Sequence, residues 1–524
     1  MAEPLRSVRY GKRRSPTFAP GSEEELRAFR KLQSAFPRQF KQLFPDRLAP
    51  KSVVVIPSLT LDQEILGKID GHVHYEERLL CLLLLLRMPC THLVYLTSMP
   101  VDPVIIDYYL HLLPGITRYH ALGRLTMLSC YDTSPRSLTE KILERPRLLA
   151  RIRDSIPPGY QAHLACFNVT PMERTLAVSL GMPVYGCDPD IFSNGNKSNG
   201  RKLFREVGLD VPPGTEDLRS VSEIVRALVE LRTADPSLKR AVLKLNEGFS
   251  GEGNAIFRFE GIGTSDVLSE SIREQILTRL RPVANGLTCQ GFLEKFHDMG
   301  GIVEAFLEGE RVASPSVQCR IDPLGEVNVI STHDQEMGGE SDQVYLGAYF
   351  PADSAYAAGL GVSGLKVAEA LRQRGVIGRF GVDFMLVRSA EGWKQYAIEI
   401  NLRKGGTTHP FISLQYLTDG TYDHRRGIYQ TANGQPRYYY STDNLVSRRY
   451  VGITPPDLID IAMVHGLHYD GTSQEGVMFH LIGALSQFGK LGVVCIGNTR
   501  ERARFYYDRI RQVLDAACSG SVLV

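Results

Sequence analysis

The sequence predicts a mixed α/β protein of several domains, on three observations. Residues 49–190 alternate short apolar strands with helical stretches, the pattern of an open α/β layer. From Val382 to Lys404, two runs of alternating apolar and polar residues flank the turn-like Ser389-Ala390-Glu391-Gly392 and read as a β-hairpin. The length, 524 residues, exceeds one ordinary core, while 43% hydrophobic and 23% charged residues describe an ordinary globular chain.

Four segments follow in order. Residues 1–48 hold a basic arm with Arg6, Arg9, Lys12, Arg13 and Arg14, which lacks the apolar run of a signal peptide, and then an amphipathic helix. Leu26, Phe29, Leu32 and Phe36 have helical spacing from Glu23 to Phe36, and Pro37 is expected to end or kink the helix before Phe40 and Leu43. In residues 49–190, strands at 52–58, 91–97, 163–168 and 184–185 alternate with helices around 76–88, 138–155 and 171–181. The apolar run Leu79 to Leu86 is far shorter than the roughly 20 residues that span a bilayer, so it reads as a buried helix. His72 and His74 have no third ligand at a sensible spacing and read as surface or loop histidines.

Residues 191–420 begin with a glycine- and asparagine-rich loop that contains Lys197. A short amphipathic helix, a Pro-Pro-Gly turn, a helix at 221–231 and strands at 241–246, 301–307, 315–321 and 326–331 follow, and the hairpin closes the segment. Residues 421–524 open on a tyrosine- and arginine-rich stretch, 424–450, and continue as helices and strands. That stretch has the composition to stack single-stranded bases, but a loop lining an acceptor site or packing on the C-terminal domain is the preferred reading.

Charge and cysteines exclude some classes. Sixty basic and fifty-eight acidic residues leave +2, which makes no global case for nucleic acid or membrane partners. Nine scattered cysteines match neither a disulfide framework nor a zinc spacing, and point to a reducing, cytoplasmic setting.

The hairpin carries the chemistry. If its turn centres on Glu391, antiparallel pairing sets Asp383 opposite Glu399, with Asn401 two residues on along the same face and Arg403 beyond it. Facing carboxylates destabilise a ladder and ask for a cation; two carboxylates and an amide carbonyl are hard oxygen donors of the kind Mg²⁺ or Mn²⁺ takes. Hydrated acids on a solvent-facing hairpin are the plain alternative. A second segment, Ala241 to Gly253, is a strand carrying Lys244 that runs into a loop with glycines at 248, 251 and 253, where backbone amides can approach an anion. It is neither a P-loop nor a dinucleotide fingerprint. A lysine inside an apolar strand calls for a partner. A third segment, Gly301 to Gly309, is an apolar strand with Glu304 and Glu308 that could offer backbone groups to a base and a carboxylate to a ribose.

Taken in succession, Lys197, Lys244 with its glycine loop, Val303-Glu304-Ala305-Phe306-Leu307, and then Asp383, Glu399, Asn401 and Arg403 resemble the ATP-grasp superfamily. Within it, GNKSNGRKLF, VEAFLEGE, FGVDFMLV, EINLRKGGTTHP and the C-terminal GVMFHLIGALSQFGKLGVVCIGNT are similar to the pheganomycin-type peptide ligases. The resemblance implies an ATP-grasp domain at 191–420, a pre-ATP-grasp domain at 49–190 and a peptide-ligase type C-terminal domain at 421–524. It implies ATP and one or two Mg²⁺ ions, a small-molecule carboxylate activated as an acyl phosphate, and an amine or peptide acceptor, with homo-oligomerisation left open. Lys197, Lys244, Gly251, Gly253, Glu304, Phe306 and Leu307 would bind the nucleotide; Asp383, Glu399 and Asn401 would bind metal; Arg403 would stabilise the transferred phosphoryl group, and Arg379 is a weaker candidate for the carboxylate. The family often has an acid at position 311, where this chain has Arg311, so Glu308 or Glu310 is expected at the ribose. His465, His468 and His480 are candidate bases for the amine, with structural roles as the alternative. A kinase that stops at a phosphorylated product and a non-catalytic nucleotide-binding scaffold are the competing readings.

Overall fold

The computed structural model describes residues 18–60, 67, 69–248, 253–262, 268–284, 286–338 and 344–518; the basic arm and Gly251 lie outside them. The chain divides into two compact units. One comprises residues up to 189 with 450–458 and 480–490; the other comprises 190–449, 459–479 and 491–524. Residues 421–524 contribute to both.

The first unit is an open parallel sheet. Strands β1 (Lys51–Ile56), β2 (Thr91–Thr97), β3 (Leu125–Ser129) and β4 (Gln161–Cys166) lie in the order β3-β2-β1-β4. Val184 adds only an isolated bridge to Leu164. β1 and β2 are buried along their whole length, as parallel strands covered on both faces must be. Helix Glu23–Leu43 continues through Pro37, against expectation. An interior proline costs about 3 kcal/mol, and burial of Phe36, Phe40 and Leu43 on one stripe offsets it. The apolar run is buried as expected, as 3₁₀ turns from His72 to Arg87. The stretch 138–155 is two helices, Leu138–Leu143 and Pro146–Asp154, with Pro146 at the first position of the second, where a proline is favoured. His72 and His74 are half-buried rather than loose on the surface: His72 bonds the Ser134 carbonyl and His74 pairs with Glu77 at 3.0 Å.

Beside β2, Glu76 is buried and accepts hydrogen bonds from the Ser98 amide (2.5 Å) and hydroxyl (2.6 Å); Lys141 donates to the same hydroxyl at 3.0 Å. Burial pushes the Glu76 carboxyl up to about 7, against the Ser98 hydrogen bonds that favour its charged form. A carboxyl raised on folding stabilises least once ionised, so its contribution falls as pH rises from 4.5 to about 7. Glu76→Gln should therefore gain about 3 kcal/mol relative to the native chain across that interval, measured by urea unfolding at each pH. An equal pH dependence in both proteins would refute the account.

Among the described residues, the second unit contains two large sheets and a two-stranded pair. Strands β5 (Gly214–Leu218), β6 (Arg240–Leu245), β7 (Asn254–Arg258), β8 (Leu280–Pro282) and β9 (Gly301–Ala305) form one, in the order β5-β9-β6-β7-β8. Its apolar face packs on helices Val221–Ala234, Leu268–Arg279 and Cys289–Met299. β10 (Val312–Ile321), β11 (Val327–Gly338), β12 (Val344–Phe350), β13 (Gly378–Ser389), β14 (Gly392–Asn401), β15 (Thr421–Asp423), β16 (Ile428–Gln430), β17 (Tyr438–Val446), β18 (Gly476–His480) and β19 (Lys490–Gly497) follow. All but the small β15-β16 pair form an eight-stranded sheet, β14-β13-β10-β11-β12-β17-β19-β18.

Most tyrosines of the 424–450 stretch, Tyr429, Tyr439, Tyr440 and Tyr450, are buried. Tyr439 on β17 is buried, stacks on Phe350 with centroids 4.8 Å apart and bonds His333 at 2.7 Å, and Tyr440 packs on Tyr507. These rings are core, which removes them as a base-stacking platform.

Candidate active site

The hairpin β13-β14 sets Asp383 opposite Glu399, by a route the sequence pattern did not reveal. Ser389 pairs with Gly392, so the turn centres between Ala390 and Glu391 rather than on Glu391. Continued regularly, that register would oppose Asp383 to Ile398. A bulge between Asp383 and Phe384 inserts Ile398 as the extra residue and restores the Asp383–Glu399 and Gly381–Asn401 pairs. Val382, Phe384 and Leu386 stay buried on the other face.

The acids face cations and amides. Asp383 accepts from Gln335 Nε2 and Asn401 Nδ2, both at 2.8 Å, and Lys197 Nζ pairs with Glu399. Burial, then the neighbouring Glu399 carboxylate, push the Asp383 carboxyl up to about 6. Burial also pushes Glu399 up, but the charge and hydrogen bond of Lys197, with Lys244 and Arg403 beyond, pull it down further, and the net displacement is downward.

Both lysines are held by local structure. Lys197 is the first residue of helix Lys197–Glu206, capped by Asn196, rather than a loop residue. Asn246 pins that helix start: its carbonyl accepts the Lys197 amide at 3.3 Å, and its Oδ1 accepts the Ser198 amide (3.1 Å) and hydroxyl (2.7 Å). Two residues back along the chain, Lys244 on β6 finds the expected partner, Glu304 on adjacent β9, at 2.5 Å. The glycine loop narrows where Gly248 meets Gly253; a Cβ on Gly253 would lie 2.8 Å from Gly248 Cα, so only glycine fits without a shift.

Lys197, Lys244, Gly248, Gly253, Glu304, Phe306, Leu307, Asp383, Glu399, Asn401 and Arg403 line one cavity of about 250 Å³, with Gln335, Met337 and Met385. Arg379 and Glu310 stand outside that lining. Arg379 lies four residues before Asp383 on β13, and Glu310 is exposed beyond β9. Glu308 pairs with Arg240 at 2.6 Å, and Glu304 is buried against Lys244 instead of being open to a ribose. His465, His468 and His480 are likewise not in the lining. Gln335, Asn246 and Arg201 escaped sequence reasoning, because each acts on a residue 48 or more positions away in the chain or, for Arg201, through a partner 103 positions away.

The donor set fits a divalent cation. Asp383, Glu399 and Asn401 present hard oxygens on one end of the β13-β14 hairpin, and burial first, then the facing Glu399 carboxylate, displace Asp383 upward, a combination that added positive charge would relieve. With divalent ions chelated, Asp383→Asn should stabilise the chain by about 1 kcal/mol at pH 8, where both acids are ionised, and the gain should vanish below pH 3.8. Chemical denaturation in EDTA reads this directly; a loss of stability at pH 8 would contradict it.

The comparisons accord with this geometry. Residues 191–276 and 287–425 match the family model described as IQCH-like, ATP-grasp, and residues 457–510 match the PGM1 C-terminal domain model. An L-propargylglycine--L-glutamate ligase of Streptantibioticus cattleyicolor is 30% identical over 467 residues, 86% of this chain and 92% of the ligase. IQ motif-containing protein H of Danio rerio is 22% identical over 482 residues, 83% of this chain and 45% of that protein. Among solved structures, a Campylobacter jejuni biotin carboxylase has a TM-score of 0.53 at 12% identity, covering 90% of this chain and 95% of that one. A Rhizobium etli pyruvate carboxylase has a TM-score of 0.50 at 15% identity, covering 88% of this chain and 37% of that one. At these identities the solved structures speak to fold alone.

Proposed function

The chain belongs to the ATP-grasp family, and from that premise we propose that it is an ATP-dependent carboxylate-amine ligase that forms a peptide or amide bond, ADP and phosphate. The observation that carries this reading is the convergence, in one cavity, of one lysine from a helix start and one from strand β6 with the Asp383-Glu399-Asn401 edge and Arg403. A triad of nucleophile, base and orienter is not needed, because phosphoryl transfer depends on positioning and charge neutralisation.

Lys197 and Lys244 would neutralise ATP phosphates, and Phe306 and Leu307 would flank the base. Asp383, Glu399 and Asn401 would hold one or two Mg²⁺ ions, which supply charge neutralisation at the β- and γ-phosphates. A substrate carboxylate oxygen attacks the γ-phosphorus as the bond to ADP breaks, with Arg403 set to stabilise the charge on the transferred group. An amine then attacks the acyl carbon, phosphate leaves, and the nitrogen loses a proton. The closure of Lys197 on Glu399 supports the assignment, since nucleotide phosphates offer that lysine an alternative anion.

The substrates are small molecules: a carboxylate, and an amino acid or peptide as acceptor. The relative named for joining L-propargylglycine and L-glutamate supports this. A place in peptide natural product metabolism follows, in a cytoplasm where ATP is at hand and the described cysteines stay free. Among the described residues, no helix is long and apolar enough to cross a membrane.

Incubation with ATP, Mg²⁺ and a panel of amino acids and peptides, read by mass spectrometry, tests the proposal. An amide product with stoichiometric ADP is expected, and Glu399→Gln should lower kcat by about 10²-fold or more. A stable phosphorylated product would replace the ligase with a kinase. Biological activity that survives Glu399→Gln would point to a scaffold.

A further inference from the structure

Arg201 lies one turn after Lys197 on the same helix, and its side chain is 1% exposed. Burying a guanidinium is costly unless its donors are met, and here three are. Nε donates to Glu216 at 2.6 Å, one terminal nitrogen to Glu304 Oε2 at 2.5 Å, and the other to the Pro212 carbonyl at 2.7 Å. The remaining Glu304 oxygen takes Lys244 at 2.5 Å, and the remaining Glu216 oxygen takes Arg205 at 2.6 Å. Within this group three cations thus share two carboxylates, and the surplus of one positive charge faces the cavity, where Lys244 also acts on Glu399. Lys244 is the cation of the three that lines the cavity.

We propose that Arg201 is a positioning residue of the nucleotide site: by occupying one oxygen of Glu304, it leaves Lys244 an uncompensated charge directed to an anionic ligand. A planar guanidinium suits this task, because its fixed fork holds Glu216, Glu304 and a backbone carbonyl at once, which an ammonium on a flexible stem does not. The same contacts tie the helix that carries Lys197 to the strand that leads into Phe306 and Leu307. With Arg201 gone, Glu304 would answer Lys244 alone and the surplus would vanish. The inference rests on the cavity being an ATP site and concerns how that site keeps its charge.

Calorimetric titration of the full chain with ADP and with adenosine, in Mg²⁺, separates the phosphate end from the base end. Arg201→Met should weaken ADP by about tenfold or more, the scale of one lost charge-assisted interaction, and leave adenosine unchanged. Arg201→Met combined with Glu304→Gln restores the surplus charge and removes the carboxylate left without its partner. That double variant should regain most of the ADP affinity, and it remains informative if the single variant folds poorly. In a Lys244→Met background, Arg201→Met should add little, because both act on one interaction. Equal losses for ADP and adenosine, or no recovery in the double variant, would reduce Arg201 to a structural staple and overturn the proposal. If Lys244→Met alone leaves ADP affinity intact, the nucleotide reading itself fails, a result distinct from the failure of Arg201.

Discussion

Asp383 and Glu399 face one another across an antiparallel pair of strands, and the surrounding unit is arranged to make that opposition bearable. Like charges across a ladder repel, and enclosure strengthens the repulsion. The chain answers each acid differently. Glu399 receives an ammonium from Lys197, while Asp383 receives amide donors from Gln335 and Asn401 and is displaced upward to about 6. Like neighbours with unlike partners leave one acid firmly ionised and the other near its titration point, an edge short of positive charge. On the proposed function, the metal would supply what is missing.

The same accounting of charge runs one layer deeper. Lys244 is paired with Glu304, which Arg201 also engages, and Arg201 in turn reaches Glu216 beside Arg205. Such a chain of ions is costly to bury unless every member has a partner, and the backbone is adapted to let them meet. Gly301, at the start of the strand that bears Glu304, lies so close to β6 that a Cβ would stand 2.3 Å from the Lys244 carbonyl. Asn246 then fastens the helix of Lys197 to the end of the strand of Lys244.

The first unit follows the same rule with a different outcome. Its central parallel strands, β1 and β2, are buried on both faces, so polar groups at their ends must be satisfied within the fold. Glu76, Ser98 and Lys141 do this as a closed hydrogen-bonded set, and burial holds the Glu76 carboxyl near neutrality. Here desolvation outweighs local attraction, whereas at Glu399 desolvation is still the largest single effect but the combined pull of Lys197, Lys244 and Arg403 exceeds it.

The residue types in their order, by themselves, determined the alternation of strands and helices in residues 49–190, the hairpin, the apolar face of Val382, Phe384 and Leu386, and a lysine on β6 that required an anion. These are consequences of local period and of the cost of burying charge, which a linear pattern records. Tertiary structure alone decided how Asp383 came to face Glu399, because a one-residue slip moves every side chain to the opposite face, and only the bulge at Ile398 corrects the turn's register. It also decided that helix Glu23–Leu43 runs through Pro37, where burial of Phe40 and Leu43 outweighs a local penalty. Gln335, Asn246 and Arg201 entered the site for the same reason. The partners that bring them to the site, Asp383, Ser198 and Glu304, lie 48, 48 and 103 positions away, and packing, not periodicity, sets contacts at that range.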